Sequence, residues 1–453
     1  MARAVKLGVI GAGSATFSVG LVKDICLTKS LAGSLVTLMD VDRERVQIMH
    51  RFAERYAKEL GADVTFEWTL DREKALREAD YVINTAQVGG HRQVEALRAF
   101  QEERGYYRGM WLHRIIQVRM MVSVARDMEH LCPAAWLIQA SNPVFEGCTA
   151  MTRAAGVNVC GICHGHFGYH EIAHRLGLDP RKVTAQMVGF NHEIWLTHFE
   201  YEGKNAYHLI AQWVEKASEK FWADYHPSYG DNQMSRAAVE LYKLTGLFPI
   251  GDTPRRGGWW YHTDLAAKKR WYGEPMGGFD SELGWSEYLK NLEEEVSSIH
   301  SAVADASTEL TKVFPPRPTG EQHFPLIEAL EGERTAELQV NVPNRGAIPG
   351  IPDDVVVELP AICSLRGIQP LQMGKLPEVL MLTVLRPRML EMERLVAFSL
   401  RPDERVLLSL VLEDHRTKSW EQALRFVRDL AARPEFADVT KEMTRAEHGF
   451  WAV

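Results

Sequence analysis

Short apolar runs, each ending in glycine or polar residues, characterise the N-terminal part of the chain. Stretches with apolar residues at helical spacing lie between them, most clearly at 17–28 and 43–60. Buried β-strands are predicted at four places, residues 5–10, 35–39, 79–86 and 135–140. Strands that alternate with helices in this way predict a parallel sheet with helices on both faces.

The pattern changes after the fourth strand. Residues 183–202 are rich in β-branched and aromatic side chains, which predicts strands that end in a turn at 202–204. Helices then mix with loops, including a Pro-rich segment at 313–325. We therefore predict an α/β protein with a Rossmann-type, doubly wound parallel sheet over residues 1–185 and a second, α+β domain over residues 186–453.

The composition of the chain limits which binding partners and which cellular compartment are expected. The 453 residues include 52 basic and 60 acidic side chains, a formal net charge of −8, and no block of Lys and Arg. This balance argues against a nucleic-acid or anionic-membrane surface and favours small molecules or other copies of the chain. No stretch reaches about 18 uninterrupted apolar residues, and six scattered cysteines fit free thiols. We expect a cytoplasmic protein.

The first predicted strand ends in a Gly-x-Gly turn that opens a helix. Such a turn lets the backbone approach a pyrophosphate, whose charge then lies at the helix N-terminus. Asp40, at the end of the second strand, suits a ribose 2′-hydroxyl and so favours NAD over NADP. The alternative is a tight structural turn, since Thr16 replaces the third glycine of the usual pattern. The predicted cofactor residues are Gly11, Gly13, Ser14, Ala15, Thr16, Phe17 and Asp40.

The stretch Cys160-x-x-Cys163-His164 has four possible interpretations: haem attachment, a zinc site, a redox pair, or a catalytic metal site. A cytoplasmic location argues against covalent haem. A thiolate and a neutral imidazole are natural ligands for a divalent transition metal, and a catalytic metal keeps positions open for substrate. Cys163 and His192 both lie at the ends of strand-like runs, where one cleft could bring them together.

Five motifs, in order along the chain, resemble glycoside hydrolase family 4, whose members are NAD- and Mn²⁺-dependent glycosidases on a lactate/malate dehydrogenase-like fold. The resemblance extends from residue 5 to at least 360. The motifs are Gly11-x-Gly13-Ser14, Ser141-Asn142-Pro143, Cys163-His164-Gly165, Gly189-Phe190-Asn191-His192 and Val340-Asn341-Val342-Pro343-Asn344-x-Gly346-x-Ile348-Pro349.

The resemblance implies both a reaction and roles for residues. Oxidation of the sugar at C3 by NAD⁺ makes the C2 proton acidic, elimination expels the C1 substituent, water adds, and hydride returns to C3. Cys163 and His192 would hold Mn²⁺, and Asn142 and Asn191 would contact substrate. Such enzymes are known exceptions to the two-carboxylate rule for glycosidases.

The proton-transferring residues are predicted from the same resemblance. Asp252, in Gly251-Asp252-Thr253, is the predicted C2 base, with Tyr242 and Tyr261 as alternatives. His164 follows the metal-binding Cys at the position that assists the leaving group, and its pKa suits neutral pH. The structural alternatives are a turn aspartate and a scaffold histidine.

The residues after Cys163 indicate the substrate class. Cys163-His164-Gly165 resembles the uronic-acid members of the family, the α-galacturonidases and α-glucuronidases. A sugar carboxylate would require a cation, and guanidinium binds carboxylate bidentately. Arg255 and Arg114 are the predicted substrate ligands, with Arg256 and Arg108 as further candidates.

Together these observations predict an NAD- and Mn²⁺-dependent α-glycosidase of hexuronides that assembles as a homodimer or homotetramer. An α-galactosidase or α-glucosidase of the same family, acting on neutral sugars, is the close alternative. A less favoured alternative is an NAD-dependent hydroxy-acid dehydrogenase. A non-catalytic redox or metal-storage protein built on Cys160 and Cys163 is a third class.

Overall fold

The computed structural model describes residues 3–224, 233–256 and 258–443, so the last ten residues of the predicted second domain lie outside it. Within these ranges one sheet contains all the strands: β1 (Lys6–Ile10), β2 (Ser34–Met39), β3 (Val64–Thr69), β4 (Tyr81–Asn84), β5 (Trp136–Gln139), β6 (Asn158–Gly161), β7 (Val183–Phe190), β8 (Glu193–Tyr201), β9 (Lys204–Asn205), β10 (Phe248–Ile250), β11 (Ala336–Pro343), β12 (Val356–Ser364) and β13 (Gly367–Pro370).

The helices connect and flank these strands. In the same ranges they are α1 (Ala15–Leu27), α2 (Arg43–Leu60), α3 (Arg72–Leu76), α4 (Gly90–Glu102), α5 (His113–Leu131), α6 (Val144–Ala154), α7 (Tyr169–Arg175), α8 (Tyr207–Lys216), α9 (Ser218–Asp224), α10 (Arg236–Thr245), α11 (Thr253–Arg256), α12 (Leu265–Tyr272), α13 (Glu282–Ala304), α14 (Leu310–Val313), α15 (His323–Leu330), α16 (Glu378–Leu380), α17 (Arg386–Leu400), α18 (Glu404–Leu412), α19 (Trp420–Ala431) and α20 (Ala437–Glu442).

The N-terminal six strands pair in parallel in the order β3-β2-β1-β4-β5-β6. This is the strand order of a Rossmann fold. The predicted strands at β1, β2, β4 and β5 and the helices α1 and α2 are confirmed. Each of these strands is buried along nearly its whole length, as expected for a sheet covered on both faces.

Antiparallel strands extend the same sheet beyond β6. β11 pairs with β6 through Asn341 and Gly161, and β12, β7, β8 and β10 follow in that order. The predicted α/β class, with a Rossmann sheet followed by an α+β region, is confirmed. The division at residues 185 and 186 falls within β7 and stays a prediction.

The buried apolar residues form two clusters, one around the parallel strands and one around the antiparallel strands. A large core lies around the parallel strands and extends to α17, α18 and α19, whereas a smaller cluster packs β7, β8 and β10 against α8 and α10. No helix in the described ranges is long and apolar enough to cross a bilayer. The carboxyl ends of β1, β2, β4, β5 and β6 meet at one edge, where ligands bind in such folds.

Candidate active site

The glycine turn after β1 is held between the ends of β2 and β4. The amides of Gly11 and Ala12 both donate to the Met39 carbonyl at 2.9 Å. Gly11 has φ +88°, and a Cβ atom added there would lie 2.4 Å from the Ala86 amide nitrogen. Only glycine therefore fits this turn, because any side chain would collide with the backbone that follows β4.

Asp40 is fixed at the end of β2 by two backbone amides. The Gly13 amide donates to its Oδ2 at 2.8 Å, and the Asp42 amide donates to Oδ1 at 2.9 Å. At the start of α1, Ser14 and Thr16 are exposed, and Ser14 makes no side-chain cap. The first amides of α1 are thus not covered by a side-chain cap, an arrangement that suits an anion.

A chain of amide contacts links the loops after β4, β5 and β6. Gln117 donates to the Ala86 carbonyl at 2.6 Å, and Gln139 donates to the Ser141 carbonyl at 2.6 Å. The Ile162 amide donates to the Gln139 carbonyl at 2.9 Å. These bonds place the exposed Asn142 and the loop of Cys163 on the same edge as the glycine turn.

Cys163 lies two residues beyond β6 and is half-buried. The Gly165 amide donates to its sulfur at 3.5 Å. Burial raises the pKa of the thiol, the charge of Glu358 adds to this rise, and the Asn191 side chain opposes it. A Cβ atom added at Gly165 would meet only the Cys163 sulfur, at 3.7 Å, so position 165 faces open space above the sulfur.

His192 occupies the two-residue turn of the β7–β8 hairpin, in which Phe190 pairs with Glu193. It has φ +65°, an unusual backbone conformation for a non-glycine residue. Its Nδ1 lies 3.3 Å from Oδ2 of Asp252. Burial lowers the pKa of His192, while Asp252 works in the opposite direction. The turn therefore directs the imidazole towards a carboxylate in the same cleft.

Asp252 lies between His192 and Arg255, with which it forms a direct ion pair. Burial opposes its ionisation, but Arg255 and His192 lower the pKa of Asp252 to about 2. The preceding Gly251 has φ +60°, and a Cβ atom there would lie 2.5 Å from the Gly165 carbonyl oxygen. The Asp252 loop therefore packs directly against the loop that follows Cys163.

Glu358 is a buried acid that sequence reasoning missed. Asn191 donates to its Oε2 at 2.9 Å, whereas Oε1 has no hydrogen-bond partner among the described residues. Burial raises the pKa of Glu358 to about 7. The signal was present in the sequence, since a carboxylate in the middle of the apolar run 355–362 is unusual. Glu358 thus bonds to the hairpin turn that carries His192, and its charge acts on the Cys163 thiol.

His164 is exposed, and its Nδ1 lies 3.1 Å from Oε1 of Glu321. The hydrogen bond to Glu321 raises the pKa of His164, and the partial desolvation of the ring by its neighbours acts in the opposite direction. His166 is buried, with Nδ1 3.0 Å from the Cys163 carbonyl oxygen, and therefore supports the loop. Cys160 is buried in the core, near Cys148 and Cys363.

The two alternative bases lie in aromatic clusters. Tyr242 packs against Tyr207 and Phe248, and the fully buried Tyr261 packs against Trp271 and Trp260. Asp252, by contrast, is in contact with His192.

The candidate arginines differ in their surroundings. Arg255 lies beside Asp252 and 3.8 Å from Asp280. Arg114 is buried and forms ion pairs with Glu146 and Glu391, so its guanidinium belongs to an interior network. The roles assigned to both from the sequence stay predictions.

Comparison with known proteins gives the relatives of the chain. An α-galactosidase from Bacillus subtilis is 26% identical, with 83% of this chain and 85% of that protein aligned. An α-galacturonidase from Lachnoclostridium phytofermentans is 24% identical over 98% of this chain and 96% of that protein. The crystal structure of a 6-phospho-α-glucosidase from gut microorganisms, in complex with NAD and Mn²⁺, has the same fold, with a TM-score of 0.76, 18% identity and 96% and 98% coverage.

Two family models match consecutive parts of the chain. Residues 6–178 match the family 4 glycosyl hydrolases, and residues 187–417 match the C-terminal domain of that family. The resemblance noted in the five sequence motifs is thereby confirmed. Together the two matches cover most of the sequence, and the protein belongs to family 4 of the glycosyl hydrolases.

Proposed function

We propose that this protein is an NAD- and Mn²⁺-dependent glycosidase of α-linked hexuronides, either α-galacturonides or α-glucuronides. The observation that carries the proposal is the meeting of His192 and Asp252 beside the Cys163 loop, at the sheet edge that also bears the glycine turn. A homodimer or homotetramer is the proposed assembly.

The residues present fit a dinucleotide. The tight turn at Gly11 brings the backbone to the end of β2, where Asp40 is oriented by the Gly13 and Asp42 amides to accept the ribose hydroxyls. The amides at the start of α1 have no side-chain cap and suit the pyrophosphate. A bound NAD in the gut-microbe 6-phospho-α-glucosidase of the same fold supports this assignment.

The residues also fit a divalent metal with open positions. No group of three or more His, Cys, Asp or Glu side chains is arranged as a metal site in the described ranges. Cys163 and His192 are the proposed ligands, a thiolate and an imidazole of the kind that binds divalent transition metals, and further positions would be open to substrate and water. The buried Oε1 of Glu358 has no hydrogen-bond partner among the described residues, and a cation bound nearby would favour the ionised form of this carboxyl, whose pKa burial raises to about 7.

When bound, NAD and the metal supply a hydride acceptor at C3 of the sugar and a Lewis acid that makes the C2 proton acidic. The protein residues then move the protons. Asp252, which is ionised at neutral pH, takes the C2 proton, and Arg255 holds its carboxylate in place. His164 donates a proton to the departing C1 oxygen and later accepts one from the water that replaces it.

The uronide assignment rests on the Cys163 loop and on the relatives. A Cβ atom at Gly165 would meet only the Cys163 sulfur, so the absence of a side chain there leaves the loop less crowded for a sugar that carries a C5 carboxylate. Arg255 is the cation nearest to the proposed base, and guanidinium suits a carboxylate. The relative aligned over nearly the whole chain is named an α-galacturonidase. The α-galactosidase at 26% identity favours neutral sugars as the second candidate.

Turnover assays with 4-nitrophenyl α-galacturonide, α-glucuronide and α-galactoside test the proposal. With Mn²⁺ and NAD⁺ at a concentration far below that of substrate, we expect many nitrophenol molecules per NAD⁺, fastest from a uronide. In D₂O the released sugar should carry deuterium at C2. One NADH accumulated per product would instead indicate a dehydrogenase, and faster release from the galactoside would favour the neutral-sugar enzyme.

Asp252→Asn tests the proposed base. We expect hydrolysis to fall by about 10²–10⁴-fold, because a positioned base is lost, and C2 deuterium exchange should fall with it. The matched control is Asp264→Asn, since Asp264 is an exposed residue that caps α12 and asparagine caps equally well. Retention of rapid C2 exchange in Asp252→Asn would transfer the role to another group.

A further inference from the structure

The exposed imidazole of His164 contacts the carboxylate of Glu321, a residue that lies outside the five sequence motifs. Glu321 lies 157 positions farther along the chain, and its Oε1 is 3.1 Å from His164 Nδ1. The two side chains differ in exposure, 74% for His164 and 26% for Glu321. The more buried carboxylate therefore anchors the more exposed imidazole.

Glu321 is itself held by α1, the helix that opens at the glycine turn. Its amide donates to Thr319 Oγ1 at 3.1 Å, and the Thr319 amide donates to Asp24 Oδ1 at 2.9 Å. The Thr319 hydroxyl donates to the other oxygen of Asp24. The end of the Pro-rich segment is thereby fixed to the helix that bears the proposed cofactor turn.

The next residues strengthen this attachment. His323, at the start of α15, is buried and packs edge-to-face on Phe17 of α1, with ring centroids 5.4 Å apart. Gln322 pairs with Gln339 of β11 through two hydrogen bonds of 2.8 and 2.9 Å. Glu321 thus lies between two fixed points, one on α1 and one on the sheet, and its position does not depend on His164.

We propose that Glu321 is a positioning residue for His164 as the acid that protonates the leaving group, an inference that rests on the proposed function. When Nδ1–H donates to the Glu321 carboxylate, Nε2 is the ring nitrogen that faces the substrate. As the C1–O bond breaks, its electron pair goes to the departing oxygen, which takes the Nε2 proton. The water that later adds at C1 returns a proton to Nε2, and Nδ1–H stays with Glu321 throughout.

Stability gives no alternative reason for the contact. An ion pair with a histidine that is 74% exposed contributes little to folding, because water screens it. The contact does affect the orientation of the His164 ring, since an exposed imidazole without a partner samples several rotamers and both tautomers. The contact therefore matters for the geometry of proton transfer.

Leaving-group dependence measures this role directly. A 4-nitrophenolate leaves without protonation, whereas an alkoxide leaves only when protonated, so a methyl uronide and a 4-nitrophenyl uronide respond differently to the loss of the acid. For Glu321→Ala we expect kcat/KM for the methyl uronide to fall by about 10–10²-fold, and for the nitrophenyl uronide by less than about threefold. Glu321→Gln should fall between, because its amide oxygen still accepts from Nδ1–H.

Two further variants show whether a negative result concerns Glu321 alone or His164 as well. Glu309→Ala is the matched control, since Glu309 is exposed and pairs with Lys312, and both substrates should react as with the wild type. His164→Ala should show the same leaving-group selectivity as Glu321→Ala. If His164→Ala is selective and Glu321→Ala is not, the role of Glu321 is overturned while the proposed function stands. If neither variant distinguishes the methyl uronide from the nitrophenyl uronide, His164 is not the acid. The role of His164 and the role of Glu321 then both fail.

Discussion

Replacing Cys163 with alanine is expected to lower kcat by about 10³-fold or more and to weaken Mn²⁺ binding to the same degree. The reason is that a Lewis acid contributes several kcal/mol to such a reaction, and His192 without Cys163 would bind the metal only weakly. Free Mn²⁺ measured by electron paramagnetic resonance during titration gives the affinity independently of turnover. Added Mn²⁺ should restore part of the activity of Cys163→Ala only at high concentration.

The matched control is Cys160→Ala, which changes the other cysteine of the Cys-x-x-Cys pattern. Cys160 is fully buried beside Cys148 and Cys363, so its replacement should lower thermal stability modestly and leave Mn²⁺ affinity unchanged. Equal losses of Mn²⁺ binding in both variants would contradict the assignment. So would a Cys163→Ala protein that binds Mn²⁺ as tightly as the wild type.

The parallel sheet could be predicted because its signals are local. Each of β1, β2, β4 and β5 is a short apolar run bounded by glycine or polar residues, and a strand buried on both faces requires such a run. The motifs at the strand ends were predictable for the same reason. Asp40 follows β2 directly, and Cys163 lies two residues beyond β6, at the end of a strand-like run in the sequence.

The contacts of Glu358 and Glu321 could not be predicted, because they depend on long-range pairing, even though Glu358 itself stands out in an apolar run. Glu358 reaches Asn191 only because β12 pairs with β7, across 167 positions of sequence. Local periodicity does not specify the order in which antiparallel strands join the sheet. The contact of Glu321 with His164 similarly comes from the attachment of a Pro-rich loop to α1, for which the sequence carries no pattern.

Arg114 illustrates a second limit of sequence reasoning. Its role at a substrate carboxylate stays a prediction, but a sequence does not indicate which charges are already paired. In the structure its partners are Glu146 of α6 and Glu391 of α17. Glu146 follows the Asn142 loop by four residues, so the network begins directly beneath the proposed substrate contacts.

This interior network centres on Arg388, which is only 7% exposed. Its guanidinium lies 2.6 Å from Glu146, 3.1 Å from Glu193 and 3.3 Å from Glu391. Glu193 follows His192 in the hairpin and is buried too. Arg388 therefore joins the helix below the Asn142 loop to the turn that presents His192.

Arg388→Met is expected to destabilise the folded protein by about 3–5 kcal/mol, because the buried Glu193 loses its nearest cation and Glu146 keeps only Arg114. The thermal unfolding midpoint should fall by about 3–5 °C, as expected for a chain of this length, and hydrolysis should fall as well because the His192 turn loses its support. The matched control is Arg405→Met, whose exposed guanidinium pairs with Asp403, and its midpoint should hardly change. Equal shifts of the unfolding midpoint in the two variants would mean that the buried ion pairs stabilise the protein no more than a surface pair does. Arg388 would then not support the His192 turn.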